Sequence, residues 1–182
     1  MGKVFESIDD KMRAWVGRQT MFFVATAPLS GDGMVNLSPK GHDSLRILGP
    51  DTVAYLDLPG SGVETLAHVK ENGRIVIMLC AFEGPPRIVR FHGTGAPLEP
   101  GDEGFDALLA EFPEFPVVRS IIRIQVSRVS DSCGYGVPLM GFQADRQSYY
   151  NYVEQHGVEA VQSGMLEENA TSLDGLPGIR VD

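Results

Sequence analysis

Between Met21 and Val129 the chain carries apolar, β-rich stretches divided mostly by short turn clusters, and this spacing constrains the fold more than any other feature. Parallel strands need a connection of about a dozen residues or more, whereas antiparallel strands can be joined by a tight turn. Met21–Ala27 reads as a buried strand, and Ser30-Gly31-Asp32-Gly33 reads as a hairpin turn into Met34–Ser38. Pro39, which has no N–H to give a ladder, should end that strand. Leu45–Leu48 and Thr52–Leu58 flank the turn Gly49-Pro50-Asp51, and Arg74–Phe82 and Arg87–Gly95 flank Glu83-Gly84-Pro85-Pro86. In Ile121–Val129 the apolar Ile122, Ile124 and Val126 alternate with Arg123, Gln125 and Ser127, which predicts a strand with one wet face. About six or seven strands joined in this way predict a closed or partly closed antiparallel barrel, not a doubly wound sheet.

Helices are expected at the ends and at one point between strands. Ser7 and Asp10 resemble a capping box, and Ile8, Met12, Trp15 and Val16 share a face, so Ser7–Arg18 should be an amphipathic helix with Met12 and Trp15 in the core. Val63–Glu71 should be a short helix closed by Asn72-Gly73 in a left-handed cap. Asp102–Phe112 and Asp145–His156 also read as helices, the latter ended by Gly157, and the tail from Val158 is weakly patterned. A length of 182 residues suits one domain. A net charge of −9 argues against nucleic acid and anionic membrane as partners, so an anionic ligand would need local donors. The charged start and the shortness of the longest apolar run, Ile75–Phe82, lead us to expect no leader and no membrane span. Cys80 and Cys133, as free thiols, fit a cytoplasmic protein.

Two segments invite a chemical reading. Gly60-Ser61-Gly62-Val63-Glu64-Thr65 lies between a strand and a helix, where free backbone N–H groups and the positive end of the helix dipole meet. With hydroxyls from Ser61 and Thr65 and close approach at the glycines, it could cradle a phosphate; Ser61 or Gly62 could equally do no more than cap the helix. In Val35–Lys40, alternation puts Asn36 and Ser38 on one face, and Lys40 follows as a reaching cation. That polar face needs either a ligand or solvent, as on an exposed edge strand.

The order of elements, together with VNLSPKG, TVAYLDLPGSGVETLAHVKENGRI, IMLCAFEGPPRIVRFHGTG and SCGYGVP, resembles the pyridoxamine 5′-phosphate oxidase-like superfamily, and most of all its uncharacterised FMN-binding branch. The likeness runs from about Arg18 to Val137, and Ser172-Leu173-Asp174-Gly175-Leu176-Pro177 resembles the same branch. It implies a mainly β protein with flanking helices, a six-stranded antiparallel split β-barrel. Residues 1–145 would hold the FMN-binding barrel and its N-terminal helix, and residues 146–182 a C-terminal helix and tail of the same domain. It also implies a homodimer with FMN at the interface and an oxidoreductase acting on a small molecule, or alternatively a non-catalytic protein that binds flavin, deazaflavin or haem. By residue, it implies that Asn36, Ser38, Pro39 and Lys40 line the flavin and that Tyr55, Asp57, Ser61, Gly62 and Thr65 hold the ribityl chain and phosphate. The hairpin Phe82–Arg90 would approach the ring from the partner subunit. Vitamin B6 oxidases carry an Arg-Lys pair in the phosphate turn; Ser61–Thr65 has none and contains Glu64, so Lys40, Arg87 or Arg90 must supply charge, and B6 oxidation itself is not expected.

The histidines at 42, 68, 92 and 156 show no metal-ligand spacing, so no metal is expected. Cys80 reads as a buried small hydrophobe, and Cys133, among glycines on a loop, as a thiol near a ligand.

Overall fold

The structure, a computed structural model, describes residues 2–181; Met1 and Asp182, the ends of the expected domain, lie outside the described residues. One antiparallel sheet organises it. Its strands are β1 (Val4–Phe5), β2 (Phe22–Thr26), β3 (Asn36–Lys40), β4 (Leu45–Ile47), β5 (Thr52–Asp57), β6 (Arg74–Cys80), β7 (Ile88–Leu98) and β8 (Ser120–Ser132). They lie in the order β3-β2-β6-β7-β8-β5-β4, with β1 paired to β8 outside that path. The fold is thus mainly β and of split-barrel type, but its sheet has eight strands where the resemblance implied six; the seven strands read from the sequence are present, Leu45–Leu48 as β4, and the short β1 is the addition.

The sheet curls, and side chains tie its far edge to β5. Lys40 of β3 pairs with Asp57 of β5, and the Phe22 and Tyr55 rings meet edge-on at 5.6 Å. Inside the curl Val24, Tyr55, Ile77, Leu79, Phe91, Ile122 and Ile124 are buried. Each such side chain contributes about 1.5–3 kcal/mol by leaving water. β8 shows the expected alternation, with Ile122, Ile124 and Val126 buried and Arg123, Gln125 and Ser127 exposed. β7 extends past the expected Gly95 to Leu98, with a register shift between His92 and Gly93. Gly93 is obligatory at that bulge, because a Cβ there would lie 2.2 Å from the Gln125 carbonyl oxygen.

The helices are α1 (Asp10–Val16), α2 (Glu64–Asn72), α3 (Phe105–Leu109), α4 (Ser148–His156) and α5 (Val158–Glu168). Four sequence expectations need correction. The cap of α1 is Asp9, not Ser7, since its carboxylate accepts the Met12 N–H at 2.7 Å, and the helix is shorter than Ser7–Arg18 at both ends. Pro39 sits within β3 opposite Phe23; β3 is the edge strand, so the missing N–H costs no ladder bond. The helix expected over Asp102–Phe112 is confined to α3. The weakly patterned tail holds α5, which buries Val161 and Met165 and follows α4 directly through Gly157, at φ 83°. The left-handed cap at Gly73, φ 71°, is as read from Asn72-Gly73. No helix among the described residues is long and apolar enough to cross a membrane.

Candidate functional site

A cleft of about 1010 Å³ opens where four segments converge: the end of α1 and residues 18–21, the end of β3 with Gly41 and His42, the β6–β7 turn from Phe82 to Arg87, and residues 140–146 beyond β8. Trp15, Pro39, Phe82, Met140 and Phe142 supply its apolar walls. Arg18, Lys40, Arg87 and Arg146 bring positive charge, against Glu83 and Asp145. The chain as a whole is strongly acidic, so this excess of cations is local and would favour an anion. Arg87 is fixed by Asp131 at 3.1 Å and stands over the Trp15 and Phe5 rings at 5.1 and 5.7 Å.

Beneath the cleft lies a polar network built from β3, β5 and α2. Asn36 donates through Nδ2 to Thr65 Oγ1 at 2.8 Å and to Thr26 Oγ1 at 3.1 Å, and Ser38 donates to Asn36 Oδ1 at 3.0 Å. Strand alternation therefore holds for β3, but its polar face turns onto the barrel while Val35 and Leu37 point outward. Lys40 Nζ lies 3.0 Å from Asp57 Oδ1, and Arg119 Nε lies 2.9 Å from Asp57 Oδ2. Burial alone would raise the Asp57 carboxyl; the Lys40 and Arg119 charges and their hydrogen bonds outweigh it and hold its pKa below the usual carboxylate value. Two cations on one carboxylate leave one positive charge in excess, and Lys40, which also lines the cleft, presents it there. Burial, with the Asp57 charge, pushes the Tyr55 hydroxyl well above its ordinary pKa. That hydroxyl is fully buried beside Thr65 and has no hydrogen-bond partner of normal length.

The turn at residues 60–64 is tied through its carbonyls to the residue before β8 and to the tail. Its Gly60 and Gly62 carbonyls accept from Asn169 Nδ2 at 3.1 Å and Arg119 Nη1 at 2.6 Å. The first residue before α2 is Val63, with no side-chain cap, so neither Ser61 nor Gly62 caps the helix. The Glu64 carboxylate folds back to within 2.3 Å of where a Gly62 Cβ would stand, and it accepts the Leu173 N–H of the tail at 3.3 Å. A phosphate at this turn would meet that carboxylate, and the nearby guanidinium of Arg119 is already held by Asp57. The Glu64 carboxylate, held by the tail's Leu173, thus stands at the turn where an anion would bind, while Gly60 and Ser61 stay exposed.

The predicted residues thus divide. Pro39, Lys40 and Arg87 line the cleft; Asn36, Ser38, Tyr55, Asp57 and Thr65 form the network under it; Ser61 and Gly62 lie on the turn against the tail. Sequence reasoning missed Arg119, whose signal was a lone cation at the edge of the apolar run that becomes β8: charges are rarely buried unless paired. It also passed over His42 and Asp43, which hold φ of 60° and 53° although neither is glycine. Non-glycine residues in this left-handed region cost about 1–2 kcal/mol each and cluster where function requires them. His68 is fully buried, with Nδ1 3.0 Å from Thr26 Oγ1 and Nε2 3.6 Å from the tail's Asp174.

Comparison with known proteins adds to this geometry. A profile of the family described as Pyridoxamine 5′-phosphate oxidase matches residues 8–133. The Pyridoxamine 5′-phosphate oxidase family protein ustO of Aspergillus flavus is 35% identical over 194 residues, which span 96% of this chain and 77% of that protein. Among solved structures, HupZ of Group A Streptococcus superposes with a TM-score of 0.51 at 24% identity, over 67% of this chain and 91% of that one. A singly substituted form of HupZ superposes with a TM-score of 0.53 at 23% identity, over 69% and 99%. At these identities the structural likeness speaks to the fold.

Proposed function

From the premise that this chain belongs to the pyridoxamine 5′-phosphate oxidase family, we propose that it binds a flavin, FMN, in the cleft and acts as an FMN-dependent oxidoreductase on a small molecule. The observation that carries this reading is the cleft itself. Its volume of about 1010 Å³ is ample for a flavin nucleotide, which falls within the roughly 300–1,000 Å³ range of ligand pockets. Trp15, Pro39 and Phe82 offer flat apolar walls for a ring system, and Lys40 with Arg18 and Arg146 offers charge for a phosphate. A bound flavin supplies the two-electron chemistry, and the chain's task is to hold, orient and shield it. Lys40 is suited to holding because Asp57 fixes its ammonium while Arg119 offsets part of that carboxylate's charge.

Titration of the purified protein with FMN and with riboflavin tests this. FMN fluorescence should be quenched, and Lys40→Met should weaken FMN at least tenfold while leaving riboflavin nearly unchanged. A protein that quenches neither molecule refutes the cofactor reading. Reduction of the bound flavin by NADH or NADPH separates an oxidoreductase from a carrier or sensor that only binds flavin.

The same reading makes the protein a cytoplasmic homodimer. In its support, Leu29, Met34, Val35 and Leu37 are exposed along and beside the edge strand β3, with Leu173 of the tail also exposed. An edge strand with outward apolar side chains is a surface that natural proteins cover. Sedimentation should give twice the chain mass, and Leu37→Glu should give a monomer.

A further inference from the structure

His42 stands at the rim of the cleft on two consecutive left-handed residues, His42 at φ 60° and Asp43 at φ 53°. Neither is glycine, so the surrounding structure holds the backbone there against its own preference. What that backbone achieves is a fixed imidazole. Its ring meets Phe115 edge-on at 6.5 Å and Tyr150 edge-on at 6.1 Å, and its Nδ1 lies 3.9 Å from Asp145 Oδ1. Among the described residues neither ring nitrogen of His42 makes a hydrogen bond, so the nitrogen turned from Asp145 is available.

We propose that His42, oriented by Asp145, is the proton-holding side chain of the cleft and presents a ring N–H to an anionic group of the molecule bound there. This rests on the reading of the cleft as a site for an anionic ligand. It adds a residue that neither the strand motif nor the phosphate turn contains. Only an N–H bond is made or broken, and the proton comes from and returns to water. The groups that set its charge are Asp145, which favours the imidazolium, and Lys40 and Arg146, which line the same cleft and oppose it. The Tyr150 ring, the uncharged Phe115 ring and the exposed neighbour Asp43 complete its surroundings.

The test follows the His42 imidazole by NMR across pH in the intact protein, its signal assigned by His42→Asn. Asparagine tolerates the left-handed backbone, and thermal melting checks that the variant folds. FMN should raise the parent's midpoint by about one unit, because a tenfold preference for the protonated form is linked to a shift of that size. Correspondingly, FMN affinity should fall about tenfold from pH 5.5 to pH 8 in the parent relative to His42→Asn; the ligand's own phosphate titration is common to both. FMN that binds without moving the His42 midpoint overturns the proposal and leaves the cofactor reading standing. If FMN does not bind, inorganic phosphate is the probe: a raised midpoint keeps the proton-holding role while the flavin reading falls, and an unmoved one overturns both.

Discussion

Removing the Asp57 carboxylate should destabilise the fold far more than removing the lysine that reaches it from the cleft. Asp57 has no exposed surface, and Arg119 is only 3% exposed. Asp57→Asn leaves Arg119 charged and buried against the Gly62 carbonyl and Asn169, with no counter-ion. Breaking a buried pair on one side costs roughly 3–5 kcal/mol, because the remaining charge has lost its compensation. For a chain of this length each kcal/mol lowers Tm by about 2–4 °C, so the variant should melt about 6–20 °C below the parent. Lys40→Met should cost about 1–2 kcal/mol, since Arg119 still neutralises Asp57 and the lysine side chain, 19% exposed, can share its charge with water. Urea unfolding at pH 7 checks both.

The pH dependence supplies a second arm. The folded-state pKa of Asp57 lies below its unfolded value. The unfolded chain therefore takes up this proton first as pH falls. The stabilisation is fully present above the unfolded value of about 3.9 and is lost as pH drops from there through the folded value. The gap between parent and Asp57→Asn should accordingly hold at neutral pH and narrow as pH falls below about 4. A gap below about 1 kcal/mol at pH 7, or one that widens with acid, would refute the assignment of Asp57 as the charge that holds the barrel edge.

Other perturbations address separate parts of the structure. Gly93→Ala should cost about 2–3 kcal/mol or prevent folding, since its Cβ would meet the Gln125 backbone, whereas Gly136→Ala, with open space around it, should leave urea stability unchanged. A thiol reagent should modify Cys133, which is exposed, within seconds and Cys80 only on unfolding, because Cys80 is buried and desolvation raises its thiol pKa; Cys133→Ser should abolish the fast phase. Ending the chain after Glu168 should lower stability by about 2–4 kcal/mol in urea unfolding, since it exposes Val63, removes buried Ile179 and takes Asn169 from Arg119.

The strand skeleton was legible because each strand is marked locally: alternation in Ile121–Val129, the Asn72-Gly73 cap, and turn clusters between apolar runs. Partnerships were not, and Lys40 shows why. Its position after a polar-faced strand fits a cation reaching for a ligand, and the same residue type at the same position fits a cation that closes a barrel. Which it does depends on the curl that brings β3 against β5, a property of the whole sheet and not of either segment. Arg119 decides the matter, because a second cation on Asp57 lets Lys40 serve both ends: it ties β3 to β5 and leaves positive charge at the cleft. The turn at Ser61–Thr65 was hard to read for the converse reason. Its local conditions suit an anion cradle, but the tail's Leu173 holds the Glu64 carboxylate beside it, and the tail has no periodicity that would announce where it packs. Glu64 was the one local warning, since a carboxylate in the first turn of a helix competes for the same positive end that a phosphate would use. Charge for an anion is offered instead at the cleft, which Lys40, Arg18 and Arg146 line.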